Sequence, residues 1–222
     1  MPYREIPLRP DQCFHIYNHA NGFENIFAKE ENYEYFLKLY IKYINAIADT
    51  FAYCLMPNHF HVLVRFKSGE KLWQVLRELK QDDFGQIKLK KDFILKSSFQ
   101  ANPRQEEYLM NQLSLRFGSL FNAYAQAFNK QQERKGSLFV PNFKRKEVTG
   151  QQYFVNLIHY IHYNPVHHGF CLEPIDWPFS SFQSISSNKP TRLLRDEVLE
   201  SFGGLHQYQK IHQSPPKLIP EW

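Results

Sequence analysis

The sequence predicts an α+β fold: a ferredoxin-like, split β-α-β antiparallel sheet with helices on one face and the other face free, followed by a C-terminal helix. Three observations predict it. Apolar runs with strand alternation and longer runs with helical spacing follow one another in the order β-α-β-β-α-β. Two strand-like runs, Phe51 to Met56 and Phe60 to Phe66, are separated by Pro57 and Asn58, turn residues that make a tight hairpin. The chain has 222 residues, enough for one sizeable core with appended pieces.

Each element has its own local reason. Gln12 to Tyr17 is the first strand, closed by the turn cluster NHANG. Tyr33, Phe36, Leu37, Tyr40, Ile44 and Ile47 recur at helical spacing and predict an amphipathic helix ending near Asp49. The hairpin follows, with His59 and His61 entering its second strand. Leu72 to Lys80 is helical in pattern, but the polar, weakly periodic stretch around it reads as an insertion from Lys67 to Arg104. Leu113, Phe117, Leu120, Phe121, Tyr124 and Phe128 mark a long helix, ended by QQERKG, and Ser137 to Val148 is a strand carrying Lys144, Arg145 and Lys146. Thr149 with Gln152 has the form of a capping box. It opens a helix through Tyr153, Leu157, Tyr160, Ile161 and Asn164 that Pro165 is expected to end or bend. A short helix near Arg195 to Phe202 and a tail, SPPKLIPEW, expected to be poorly ordered, complete the chain.

Composition narrows the function classes. Net charge is +5, from 27 basic and 22 acidic residues, which permits a polyanionic partner. Cys13, Cys54 and Cys171 are odd in number, widely spaced and without a CxxC pair, so neither a disulfide framework nor a structural zinc site is indicated. The N-terminus lacks a signal-peptide core and no apolar run approaches bilayer-spanning length, so we expect a cytoplasmic protein with no membrane partner. Aromatic residues make up 16% of the chain, including 20 Phe and 13 Tyr; buried packing is their default role, and some are available to face a ligand.

The chemistry concentrates in two stretches. In LMPNHFHVLVRF, His59 and His61 are two apart on a strand and so share a face. They are either half-buried histidines bonded to backbone or a pair collecting an ion. Tyr160 and Asn164 are four apart on a helix and stack on one face. Tyr160 is either one more core aromatic or a nucleophile, and Asn164 either a helix terminator before Pro165 or a ligand. Should that helix pack beside the histidine strand, two imidazoles, an amide oxygen and a phenol would meet. Nitrogen and hard oxygen donors with open positions suit Mg2+ or Mn2+. A phenol with an ordinary pKa near 10 needs a polarised electrophile, which a metal-bound phosphodiester supplies. Tyr163 is a rival turned about 100° away on the helix. His159, His162, His167 and His168 are further candidate ligands, expected rather to be solvated or to touch phosphate. Lys144, Arg145 and Lys146 form the best local basic patch, to be weighed against a solvated sheet edge.

The strings YCLMPNHFHVLVRF, RKGSLFVPNFKRKEV and YFVNLIHYIHYNPVHHGF, in that order, resemble the REP-associated tyrosine transposases and their single-tyrosine HUH transposase relatives. CFHIYNHANGFENIF and DWPFSSF extend the resemblance over nearly all of the chain except the insertion and the tail. The resemblance implies a metal-dependent enzyme that cuts and rejoins single-stranded DNA through a covalent 5′-phosphotyrosine, with an imperfect DNA hairpin as substrate. His59 and His61 match the two HUH histidines, Tyr160 the nucleophile, and Asn164 the third, helix-borne ligand. On this basis residues 1–175 are the nuclease domain and 176–222 an extension with a tail. A monomer is expected, although some relatives are dimers with shared active sites. Two departures limit the transfer: the stretch from Lys67 to Arg104 is longer than in compact members, and His19 and Ala20 stand where many relatives have Arg-Gly. The rival readings are a domesticated hairpin-binding regulator without turnover and a phosphodiesterase that uses water.

Overall fold

The strands are β1 (Cys13–His19), β2 (Ala48–Met56), β3 (His59–Phe66) and β4 (Lys144–Glu147). They form one sheet in the order β2-β3-β1-β4, and every pairing is antiparallel. This order sets β3 between β1 and β2, the split β-α-β arrangement. The computed structural model describes residues 6–78 and 98–217. Half of the expected insertion, residues 79–97, and the end of the tail lie outside the described residues.

Alternation along β1 and β3 sorts their residues to two cores. Phe14, Ile16, Phe60, Val62, Val64 and Phe66 face α1 (Glu30–Ile44) and α3 (Pro103–Gln131) in the larger core. The opposite face was expected to be free, and it is not. Ala52, Cys54, Met56 and Leu63 pack there with Leu157, Ile158, Tyr160 and Ile161 of α4 (Gln151–His167) and with α5 (Phe182–Ser186), α6 (Arg195–Phe202) and α7 (Leu205–His212). The physical reason is that β2 and β3 are apolar on both faces, so each face needs a covering layer. A register shift between Thr50 and Ala52 turns Phe51 toward this second core together with Ala52.

Several boundaries differ from expectation. Helix α1 stops at Ile44 and β2 already begins at Ala48, so Ile47 belongs to the turn between them. Strand β4 is four residues long, although an isolated bridge, Ala20 to Phe139, continues its line along the sheet edge. Helix α2 (Gly69–Glu78) begins three residues before the predicted Leu72, and the last two residues of the prediction, 79–80, lie outside the described residues. Helix α3 begins ten residues before its first predicted apolar position, because the Asn102 side chain accepts the Gln105 amide and Pro103 occupies the first turn. The Thr149 cap does not form. Gly150, at φ +82, is the N-cap of α4 without a side-chain hydrogen bond, in a backbone region that glycine adopts without strain. Pro165 does not end the helix, which runs on to His167. The proline lacks only one N–H, and so near the helix end little ladder remains to be lost.

The DWPFSSF segment has a structural task. Leu55 N donates to Phe179 O, Ser181 N to Tyr53 O, and Trp177 Nε1 to Leu55 O, which closes the outer edge of β2. No described helix is long and apolar enough to cross a membrane.

Candidate active site

The pairing of β1 with β3 aligns Tyr17 with His61 and His19 with His59, so all four share the face covered by α4. From α4, Tyr160 and Asn164 come down onto this face. Asn164 Oδ1 lies 2.9 Å from His59 Nε2, and Asn164 Nδ2 donates to the Tyr160 hydroxyl at 2.8 Å. The two sequence motifs, 105 residues apart, therefore meet through one amide side chain. The Tyr160 ring packs edge-on to His61, with centroids 5.5 Å apart. Tyr160 is 3% exposed and Asn164 fully buried, while His59 is half-buried and His19 and His168 are exposed at the rim.

Burial controls the charge here. It lowers His59 to about 4, a shift that the Asn164 bond opposes and the neighbouring His168 and His19 reinforce. His61 is held well below the ordinary imidazole range by burial first and then by His15, His59 and His168. Both rings are neutral at pH 7, as metal ligands must be. His59 faces an amide oxygen at each ring nitrogen: Asn58 Oδ1 at 2.8 Å from Nδ1 and Asn164 Oδ1 at 2.9 Å from Nε2. A neutral imidazole carries one N–H, so one of the two His59 ring nitrogens presents a lone pair. His59 Nε2 and the Asn164 amide oxygen, 2.9 Å apart, are donors that would hold a divalent ion together with His61. Among the described residues no group of three or more His, Cys, Asp or Glu is arranged to hold a metal; the candidate set of two imidazoles and an amide lies outside that class.

The remaining predicted residues divide. Tyr163 lies on the other side of α4, its ring 5.9 Å from that of His159. Lys144, Arg145 and Lys146 do not form one patch. Lys144 pairs with Tyr17 and Lys146 with His15 on the site's face, whereas Arg145 turns to the opposite face, bonds Ser114 Oγ at 2.8 Å and lies over the Phe143 ring. His159 and His162, expected to be solvated, are buried. His162 Nε2 meets Ser181 Oγ at 2.6 Å and its Nδ1 lies 3.1 Å from the Tyr208 hydroxyl and 3.2 Å from His212 Nε2, while His159 Nε2 bonds Ser214 O. This polar cluster fastens α7 to the back of the tyrosine helix. Sequence reasoning missed it because its members are scattered over some fifty residues. It also missed His15, which is 0% exposed with Nε2 3.1 Å from His61 Nδ1. A signal was available there: His15, Tyr17 and His19 alternate with Phe14, Ile16 and Asn18, so one face of β1 is imidazole and phenol.

No protein-family model matches the chain. A solved structure described as a REP-associated tyrosine transposase bound to a REP hairpin aligns over 86% of this chain and 88% of its own, with a TM-score of 0.56 and 18% identity. The fold is that of a REP-associated tyrosine transposase. A protein of Haemophilus influenzae named as a putative REP-associated tyrosine transposase is 25% identical over 134 residues, 60% of this chain. The match spans 58% of that relative's length. The resemblance carried by the histidine pair and the tyrosine helix is thus matched by similarity in sequence and in fold to proteins of the transposase family.

Proposed function

We propose that this chain is a REP-associated tyrosine transposase of the HUH type, a nuclease and strand transferase that cuts and rejoins single-stranded DNA at a hairpin. The observation that carries the reading is the line from His59 through Asn164 to Tyr160, with hydrogen-bond separations of 2.9 and 2.8 Å. A residue that only terminates a helix has no need to connect a strand imidazole to a phenol. Hairpin DNA as the substrate is supported by the structural neighbour, which is bound to one. His59, His61, Tyr160 and Asn164 all come from one chain, which supports a monomer.

His59, His61 and Asn164 are the residues to hold a divalent ion, Mg2+ or Mn2+. When bound, the ion supplies charge withdrawal from the non-bridging oxygens of the scissile phosphate. The protein does the rest. Tyr160 attacks phosphorus, its oxygen forms the new P–O bond, and the bond to the 3′ oxygen breaks. The phenolic proton is lost, the leaving oxygen gains one to become a 3′-OH, and the 5′ phosphate stays on Tyr160. The Asn164 N–H at the phenol oxygen favours the phenolate over the phenol. Since one phosphodiester replaces another, a 3′-OH reverses the step without ATP, and strand transfer needs only a different 3′ end.

The test uses wild type and Tyr160→Phe with end-labelled hairpin oligonucleotides in Mn2+, Mg2+ or EDTA. We expect a protease-sensitive adduct on the 5′ side of the cut, dependent on metal and absent from the variant, with hairpin binding kept. Cutting by both proteins makes water the nucleophile. Binding without cutting by either makes the chain a hairpin-binding regulator.

A further inference from the structure

We propose that His15 is a positioning residue for the metal ligand His61: it accepts the hydrogen on His61 Nδ1 and thereby keeps the Nε2 lone pair available for the ion. The inference rests on the reading of His59, His61 and Asn164 as ligands. The two rings approach with His15 Nε2 3.1 Å from His61 Nδ1, a distance at which one hydrogen is shared. Only one direction of donation is compatible with a ligand. If His15 donated, His61 Nδ1 would be the acceptor and the hydrogen of a neutral His61 would sit on Nε2, where no cation binds. With the direction reversed, His61 carries its hydrogen on Nδ1 and Nε2 is bare.

The fold holds the pair in this relation. His15 pairs with Leu63 and Tyr17 with His61, so His15 and His61 are diagonal neighbours on one face of adjacent strands. The His15 ring is fully buried and stacks on Tyr17 (4.8 Å between centroids, 26° between planes) and on His61 (5.2 Å, 29°). A ring so confined presents Nε2 to His61. It is fully buried, so its effect passes through His61.

The experiment compares full-length wild type, His15→Phe and His15→Gln for Mn2+ affinity by paramagnetic resonance without DNA. Phenylalanine keeps a ring in the core but removes the acceptor, and glutamine restores an acceptor oxygen. We expect His15→Phe to weaken Mn2+ binding by about 10- to 100-fold, His15→Gln to recover most of that loss, and hairpin binding in EDTA to be unchanged in both. Equal Mn2+ affinity in wild type and His15→Phe would overturn the inference. A wild type that binds no Mn2+ overturns the ligand reading beneath it, a distinct result. Should His15→Phe fail to fold, 15N-histidine spectra of wild type in Mg2+ decide directly: hydrogen on His61 Nδ1 is expected, and hydrogen on Nε2 refutes the proposal.

Discussion

Asn164 makes two different demands on one amide. Its oxygen faces His59 and its nitrogen donates to Tyr160, so the two ends are not interchangeable. Asn164→Asp keeps an oxygen toward His59 but replaces the N–H at the phenol with a second acceptor. We expect Mn2+ affinity to be retained and the single-turnover rate of adduct formation to fall by about a hundredfold or more, the usual cost of losing one aimed donor. A second residue-scale expectation concerns pH. Burial, with a smaller effect of His159, holds His212 at about 3, against a bond to Tyr208 O that opposes the shift. A histidine with a lowered folded pKa leaves the unfolded chain as the better proton binder, so stability is complete above about pH 6.5 and is lost as pH falls toward 3. At pH 5 this single ring removes about 2 kcal/mol relative to pH 7.5. Urea titrations at the two pH values should show a pH-dependent loss smaller by about that amount in His212→Gln. His59, His61, Tyr160 and Asn164 were legible because each lies in a short motif with a spacing. His15 and His212 were not, since their meaning comes from partners on other elements.

At the scale of elements, alternation decides more than composition does. Strand β4 has three successive cations, and the pleat gives two of them to the site's face and one to the core side. Lys144→Ala and Lys146→Ala should each weaken hairpin binding and lower the salt slope by about 0.7–0.9. Arg145→Ala should leave that slope unchanged and lower the melting temperature, because it removes a ring contact and a hydrogen bond. Helix α4 is held from behind by α7, where the fully buried Tyr208 ring stacks on Phe182 and meets Phe202 edge-on. Tyr208→Ala should cost about 3–5 kcal/mol and reduce cleavage as well, since the helix bearing Tyr160 loses its backing; thermal melts and the adduct assay measure the two effects. The periodicity of α1, α3 and α4 was readable because buried residues recur at helical spacing. Their ends were less so: Gly150 and Asn102 start helices through backbone conformation and a cap, not through a pattern.

For the whole molecule, the second core is the main result that the chain order conceals. Phe182, Ile185, Val198, Phe202 and Tyr208, all beyond residue 175, pack with the tyrosine helix against β2 and β3. A chain truncated after residue 175 should therefore lose cooperative melting and cleavage together, whereas a separable extension would leave both intact; calorimetry of the truncated chain distinguishes these. The sequence by itself determined the element order, the hairpin that launches His59 and His61, and the shared face of Tyr160 and Asn164, because these depend on periods of two and 3.6 residues along a local stretch. The tertiary structure alone decided that the two faces meet, that the sheet is covered on both sides, and that His15 stands behind His61. Those outcomes depend on which surfaces find each other between elements far apart in the chain, and no local period records that.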